Sequence, residues 1–435
     1  MKIQYRIACL VAYFLFLTNF IRPEVTWDES VYIGIGKYLY SAGSSGIYEA
    51  FRPIVLPLIL GGMWGIGIDP IIPGKILIAL IATMNAVMVW KIATYYVDEK
   101  TSVVSAIVYA TMPVVFVHSV MLYTGVMAAF FSLAAFLFYL QQRSFQFGLV
   151  SGLAFLTRFP SALVFVACVT AALLCRKTKF VMISSSVFCA VISLYFFKNS
   201  HFDSSIFGPF VDAVAHQRNP VFSEPWYFYI VQMAKNSVVL LACPIGIAAL
   251  LKQRREKWAS IGLLLVAIIP FLYFSSVTNK QPRFMIPFLP FFVLLAAVAS
   301  DFGKTWQRYV AVCAISLSFV LAIVGAHSNY YGYLPTEELC NGTIITSVPM
   351  YAAYYDNLFI PAYFSPVDAI DRFKSHEANA CMFIYMDVFP CEKLQAADCE
   401  SNKAILRGLF EKYPIVARNR VTIHSRAPTV LFGAY

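Results

Sequence analysis

Charge is scarce in this chain. Only 13% of its 435 residues are Asp, Glu, Lys or Arg, against 60% hydrophobic, and the mean hydropathy is +0.69. That balance excludes an ordinary soluble globular domain. The net charge of +10 is spread over short loops, so it is not a nucleic-acid signature and no nucleic-acid partner is expected. Internal repeats and low-complexity tracts are lacking. The first apolar run, Ile7 to Ile21, also lacks a cleavage site of small residues: it follows Lys2 and Arg6 and ends in Thr18-Asn-Phe-Ile-Arg-Pro23. It reads as a retained anchor rather than a secretory signal.

What is present is a succession of apolar runs, many of about 18 residues, the length that crosses a bilayer as a helix. Candidate spans are roughly 7–21, 74–96, 103–121, 125–142, 146–157, 159–175, 180–197, 227–251, 258–277, 284–300 and 308–326. The expected fold is a polytopic α-helical membrane protein with about 11 transmembrane helices and a small C-terminal α/β extracytoplasmic domain. With the N-terminus cytoplasmic, the basic clusters Arg176-Lys177-Thr178-Lys179 and Lys252-Gln-Arg-Arg-Glu-Lys257, together with Lys304 and Arg308, fall inside, and the C-terminus falls outside. The segment 54–68 is short and interrupted by Pro57, Gly61, Gly62, Gly65 and Gly67. It is expected to lie in the outer interface or to re-enter there, because counting it as a span would invert both clusters.

The domain reading is therefore 1–327 for the membrane part, with outer loops 22–73 and 198–226, and 328–435 for a soluble domain. The 198–226 loop holds Asp203, Asp212, His216, Arg218 and Glu224. The soluble stretch carries Cys340, Cys381, Cys391 and Cys399 on the side where disulfides form, with Cys391–Cys399 the easiest pairing and the connectivity open. Asn341-Gly-Thr343 is a glycosylation sequon on the same side.

Asp28 and Glu29 stand just beyond the first apolar run. Two adjacent carboxylates at a lipid–water boundary cost free energy unless water, a cation or a metal meets them. The bland reading is a solvated loop. The functional one gains from basic residues at the outer ends of other spans: Arg52 before Pro53, Arg158 in Thr157-Arg-Phe-Pro160, and Lys280 and Arg283 in Asn279-Lys-Gln-Pro-Arg-Phe-Met-Ile-Pro287. Singly, each is as well explained as a side chain snorkelling to headgroups. Together they suit an anionic lipid phosphate as leaving group, with a carboxylate that takes a proton from an acceptor hydroxyl. A secondary transporter would use Asp28 and Glu29 as coupling carboxylates, but inverted repeats and mid-membrane charges are missing.

The order of these features resembles the GT-C lipid-linked-sugar glycosyltransferases of the protein O-mannosyltransferase and aminoarabinose-transferase branch (glycosyltransferase family 39 type). The matching stretches are Asp28-Glu-Ser-Val-Tyr32, Arg52-Pro-Ile54, Gly152-Leu-Ala-Phe-Leu-Thr-Arg158, Pro225-Trp-Tyr-Phe-Tyr229 and Lys280-Gln-Pro-Arg-Phe-Met-Ile-Pro-Phe-Leu-Pro290. The resemblance implies sugar transfer from a polyprenyl-phosphate carrier to a protein or lipid acceptor at the outer face of a plasma membrane or endoplasmic reticulum. It implies catalytic Asp28 with Glu29 assisting, and Arg52, Arg158, Lys280 and Arg283 on the lipid phosphate. Tyr32, His118, Glu224, Trp226 and Tyr227 become candidates for the substrate pocket. One departure stands out. Gly125 occupies the place where such proteins carry a second acidic residue that helps bind a divalent cation. Asp28 is then the candidate metal ligand, with His118, Asp212, His216 and Glu224 as candidate substitutes. A catalytically silent relative serving as a binding or assembly subunit is the alternative that Gly125 raises.

Overall fold

The computed structural model describes residues 3–202, 206–216, 220–252, 257–299, 305–328, 335, 339–389, 391, 398–410, 415–420 and 429–434. Asp203, Arg218, Arg254, Arg255 and Lys304 lie outside the described residues, as do the side chains of His216 and Arg308. The chain folds into two compact units. One comprises Met1–Ile21, Pro53–Val55 and Lys75–Asn329; the other comprises Arg22–Arg52, Leu56–Gly74 and Tyr330–Tyr435.

The first unit is helical. Among the described residues of the chain, three helices are long and apolar enough to cross a membrane: Ile71–Ala93, Thr178–Phe197 and Lys257–Ser276. Shorter apolar helices include Thr124–Leu140, Ser144–Thr157 and Leu289–Ala299. The last is apolar all round and is buried from Leu289 to Ala297, as a helix at the centre of a bundle must be. Aromatic rings fill the space around it. Tyr139 stacks on Trp258 at 4.0 Å between centroids, and each polar tip donates to the other residue's carbonyl, at 2.8 and 3.2 Å. Both rings thus bury apolar area without leaving a polar atom unsatisfied.

Two expected spans are broken rather than continuous. The run at 103–121 forms helices Glu99–Ala110 and Pro113–His118. Pro113 has no amide hydrogen to donate, and its ring clashes with a preceding helical turn, so the helix stops and restarts. The run at 227–251 forms Phe228–Asn236, a 3-10 turn Val238–Ala242 and Cys243–Lys252, with Ser237 extended at the break. Irregular backbone inside an apolar bundle needs other polar partners. Asn236 supplies them: its Oδ1 accepts the Val114 amide at 3.0 Å, and its carbonyl accepts the Ser318 hydroxyl at 3.1 Å.

In the second unit the segment expected as an outer loop is ordered. Residues Trp27–Tyr40 form a helix, Gly46–Ile47 a short strand (β1) and Val55–Gly65 a second helix. The latter spans 11 residues, far fewer than the roughly 20 a bilayer requires. Pro57 is tolerated because it lies in the first turn, where amides have no helical acceptor. Gly61 and Gly36 let the two helices touch backbone to backbone. A Cβ on Gly61 would meet the Gly36 carbonyl oxygen at 2.4 Å, and one on Gly36 would meet the Pro57 oxygen at 2.6 Å. Of the glycines that argued against a span, Gly61 thus lies at a helix crossing, and Gly62 and Gly65 face the Tyr40 ring.

The strand β1 joins five from the C-terminal region: β2 (Thr343–Thr346), β3 (Leu358–Pro361), β4 (Ala380–Tyr385), β5 (Ile415–Arg420) and β6 (Thr429–Ala434). The sheet order is β1-β3-β2-β4-β6-β5. β1 to β4 pair in parallel, with Ile47 opposite Phe359, while β6 runs antiparallel to β4 and β5. Side chains alternate across it with the period of a strand. Ile344, Met382 and Ile384 pack with Ile47 and Tyr351 on one face; Ile345, Phe383 and Tyr385 pack with Phe373 and Leu406 on the other. Burial on both faces is what a parallel sheet requires. Two disulfides, Cys340–Cys381 and Cys391–Cys399, close this unit. The Cys391–Cys399 pairing that spacing favours is present, and Cys340–Cys381 settles the remaining connectivity.

Candidate active site

In the second unit, Thr26 caps the Trp27–Tyr40 helix and Glu29, three residues on, completes a capping box. Glu29 Oε2 accepts the Thr26 amide at 2.7 Å. Both acidic residues lie in the first turn, where the helix dipole favours negative charge. The two carboxylates do different work. Glu29, fully buried, closes the helix. Asp28 turns to a cation: Arg52 Nη2 donates to its Oδ1 at 3.1 Å.

Arg52 is held on its other side. Its Nε donates to Glu49 Oε2 at 2.6 Å, and the Tyr363 hydroxyl donates to Glu49 Oε1 at 2.5 Å. The guanidinium lies over the rings of Tyr32, at 5.5 Å, and Phe51, at 5.4 Å. The Glu49 side chain is 0% exposed, and those of Asp28 and Arg52 are 12% and 19% exposed. Burial opposes the Arg52 charge, but Glu49 and then Asp28 outweigh it and hold the guanidinium well above its ordinary pKa. Burial, followed by the Glu49 charge, raises the Tyr363 phenol well above its ordinary value, so it stays a donor.

Of the residues expected from sequence, Asp28, Arg52 and Tyr32 therefore converge. Glu49 and Tyr363 were missed. Glu49 carries a sequence signal, a carboxylate three residues before Arg52 in a charge-poor chain. Tyr363 carries none, being 314 residues from its partner. The same unit contains a cavity of about 510 Å³ lined by Trp64, Gly65, Gly67, Ile68, Asp69 and Asp356. It includes none of the expected site residues.

In the first unit, Arg158 follows the Ser144–Thr157 helix in extended conformation. Its Nη1 donates to Thr124 Oγ1 at 3.4 Å, and its guanidinium lies over Phe284 at 5.2 Å. Arg283 lies over Tyr123 at 5.1 Å, its Nε donating to Gln281 Oε1 at 2.8 Å. The Tyr123 ring meets His118 edge-on, and His118 Nδ1 sits 2.7 Å from the Val114 carbonyl. Arg158, Arg283 and His118 are thus linked through Tyr123, Thr124 and Phe284. The other expected residues occupy different settings. The Lys280 ammonium donates to the carbonyls of Glu224, at 2.8 Å, and Val277, at 2.6 Å, so it staples the 222–224 loop. Trp226 and Tyr227 are 67% and 49% exposed and pack edge-on to each other.

Residues 68–337 match the model of the Alg9-like mannosyltransferase family. The chain belongs to the Alg9-like mannosyltransferase family. It is accordingly a glycosyltransferase and an integral membrane protein, in accord with its apolar helices. Its fold is that of GT-C enzymes. ArnT from Cupriavidus metallidurans bound to undecaprenyl phosphate matches with a TM-score of 0.69 and 12% identity, over 99% of this chain and 98% of that one. The Archaeoglobus fulgidus oligosaccharyltransferase tethered to an acceptor peptide matches with a TM-score of 0.57 and 12% identity, over 100% and 74%. In sequence, the Proteus mirabilis undecaprenyl phosphate-alpha-4-amino-4-deoxy-L-arabinose arabinosyl transferase 2 is 24% identical over 124 residues. That match spans 26% of this chain and 22% of the relative's own length.

Among the described residues, the side chains of the acidic motif are not arranged to fit a divalent cation. Asp28 is engaged by Arg52, and Glu29 is engaged by the helix it caps. A Cβ at Gly125 would rest on Ile286 at 3.4 Å, an apolar neighbour. Among the described residues no group of three or more His, Cys, Asp or Glu is arranged to hold a metal ion.

Proposed function

We propose that the enzyme takes a sugar from a polyprenyl-phosphate carrier and transfers it to a hydroxyl or amide of a protein or lipid acceptor on the non-cytoplasmic side. The observation that carries this reading is Asp28, a buried carboxylate at a helix start with a guanidinium fixed against it, in a chain of a sugar-transferring family. Asp28 is the base. It takes the acceptor proton as the acceptor atom forms its bond to the sugar's anomeric carbon. The bond from that carbon to the phosphate oxygen breaks, and the electron pair leaves with the polyprenyl phosphate. Arg158 and Arg283, each stacked on an aromatic ring, hold that phosphate with charge-assisted hydrogen bonds. Arg52 sets the orientation of Asp28, and Lys280 supports the neighbouring loop. The undecaprenyl phosphate in the ArnT structure and the acceptor peptide in the oligosaccharyltransferase support these two substrate classes.

Two signals support this orientation. Basic clusters at 176–179 and 252–257 favour the cytoplasm, and the disulfides favour an oxidising compartment for the C-terminal region. Cysteines introduced at Lys177 and Asn341 should label from opposite sides; labelling from one side would refute the orientation. For the activity, purified protein is incubated with radiolabelled polyprenyl-phosphate-linked sugars, mannose first, and consumption of each donor is scored. Turnover of one donor supports the reading. A protein that binds donors but consumes none fits the silent-relative alternative.

A further inference from the structure

We infer that Glu49 and Tyr363 are positioning residues for the transfer reaction, acting on Asp28 through Arg52; this rests on the reading of Asp28 as the base. An arginine side chain has several rotatable bonds, and a single hydrogen bond to Asp28 leaves its direction loosely set. The structure removes that freedom in stages. Glu49 takes the Nε edge at 2.6 Å while Nη2 reaches Asp28 at 3.1 Å, so the two carboxylates grip adjacent edges of one planar fork. The Arg52 amide also donates to the Glu49 carbonyl at 3.2 Å, which fixes backbone as well as side chain.

Glu49 in turn is held by Tyr363. That tyrosine touches the chain of contacts at both ends. Its hydroxyl donates to Glu49 Oε1 at 2.5 Å, and its ring stands edge-on against Trp27 at 5.0 Å, the residue before Asp28. Tyr363 is itself set by the sheet. It follows β3, and the neighbouring Ala362 amide donates to the Thr346 carbonyl at 2.8 Å. Rigid elements hold functional groups more accurately than loops do. A residue from the C-terminal region thereby fixes the direction of a base near the start of the chain. Misplacement of a reacting group is costly in rate even where binding is unaffected. Glu49 and Tyr363 reach Asp28 only by way of Arg52 and the Trp27 ring, so they position and do not catalyse.

The test uses full-length protein and single-turnover transfer from a polyprenyl-phosphate-linked sugar that the wild type consumes. Four variants are compared: Tyr363→Phe, Glu49→Gln, the double variant and Asp28→Asn. Tyr363→Phe removes one oxygen and keeps the ring on Trp27. It should lower the maximal rate about tenfold while donor KM stays within about twofold, as expected for loss of a hydrogen bond to a charged group that acts on orientation. Glu49→Gln should lower the rate by about thirtyfold, again with little change in KM. Because the Tyr363 hydroxyl acts through Glu49 and the Phe ring keeps the contact with Trp27, the double variant should be no slower than Glu49→Gln alone. If Glu49→Gln fails to fold, Tyr363→Phe carries the test. A wild-type rate for Tyr363→Phe overturns the inference, as do losses that multiply in the double variant. If Asp28→Asn is inactive while Tyr363→Phe is unimpaired, only the positioning role fails. A fully active Asp28→Asn, or a wild type that consumes no donor, overturns the reading of Asp28 and this inference together.

Discussion

Asp28 and Glu29 are neighbours with different partners, and the proposed mechanism predicts that substitution separates them. In Asp28→Asn the Arg52 fork keeps Glu49 as a charged partner, and the amide oxygen can still accept from Nη2. The stability loss should be about 1 kcal/mol, the difference between a charged and a neutral acceptor. The transfer rate should fall by about 10² to 10⁴, because the amide cannot take a proton. Glu29→Gln does the reverse. Its side-chain oxygen still reaches the Thr26 amide, but the favourable charge at the helix start is lost, at about 0.5–1 kcal/mol. Transfer should stay within about threefold of wild type, since Glu29 is given no proton to move. The assay is single-turnover consumption of radiolabelled donor, with thermal unfolding in detergent as the measure of folding. An active Asp28→Asn would refute the reasoning. So would a folded Glu29→Gln that loses as much activity as Asp28→Asn.

Replacing Arg158 or Arg283 with Ala should weaken donor binding by about 2 kcal/mol, the worth of a charge-assisted hydrogen bond; equilibrium binding of a polyprenyl-phosphate-linked sugar that matched wild type in both variants would remove them from the phosphate site. Gly61→Ala puts a Cβ 2.4 Å from the Gly36 oxygen and should cost about 1–3 kcal/mol as the two helices are forced apart, read as a lowered thermal midpoint; an unchanged midpoint would contradict the close crossing. Opening Cys340–Cys381, with a separation of 41 residues, should destabilise the C-terminal region by about 4 kcal/mol on the chain-entropy model, against about 2.5 kcal/mol for Cys391–Cys399. Limited proteolysis of the two Cys→Ser pairs checks the order, and equal susceptibility would count against it.

The sequence by itself determined the class of protein and the identity of its central charged groups. Long apolar stretches with few charges can be stable only where water is absent, so helices such as Ile71–Ala93 were legible without any contact. Asp28 and Arg52 were legible because a charge in such a chain is costly enough to need a reason. Other features rest on partners distant in sequence, and only the tertiary structure decided them. Glu29 beside Asp28 has the same chemistry, and only the helix start at Thr26 makes it a cap. Gly61 resembles an interruption until its helix crosses another at Gly36. Lys280 resembles Arg283 in a motif, yet its ammonium is taken up by two carbonyls. Strand β1 is two residues long, too short to announce itself, and exists because β3 offers it an edge. Tyr363 is one of 26 tyrosines and is distinguished only by a buried carboxylate 314 residues away. Local pattern reports what a residue would cost if left alone, and the fold decides which neighbour meets that cost.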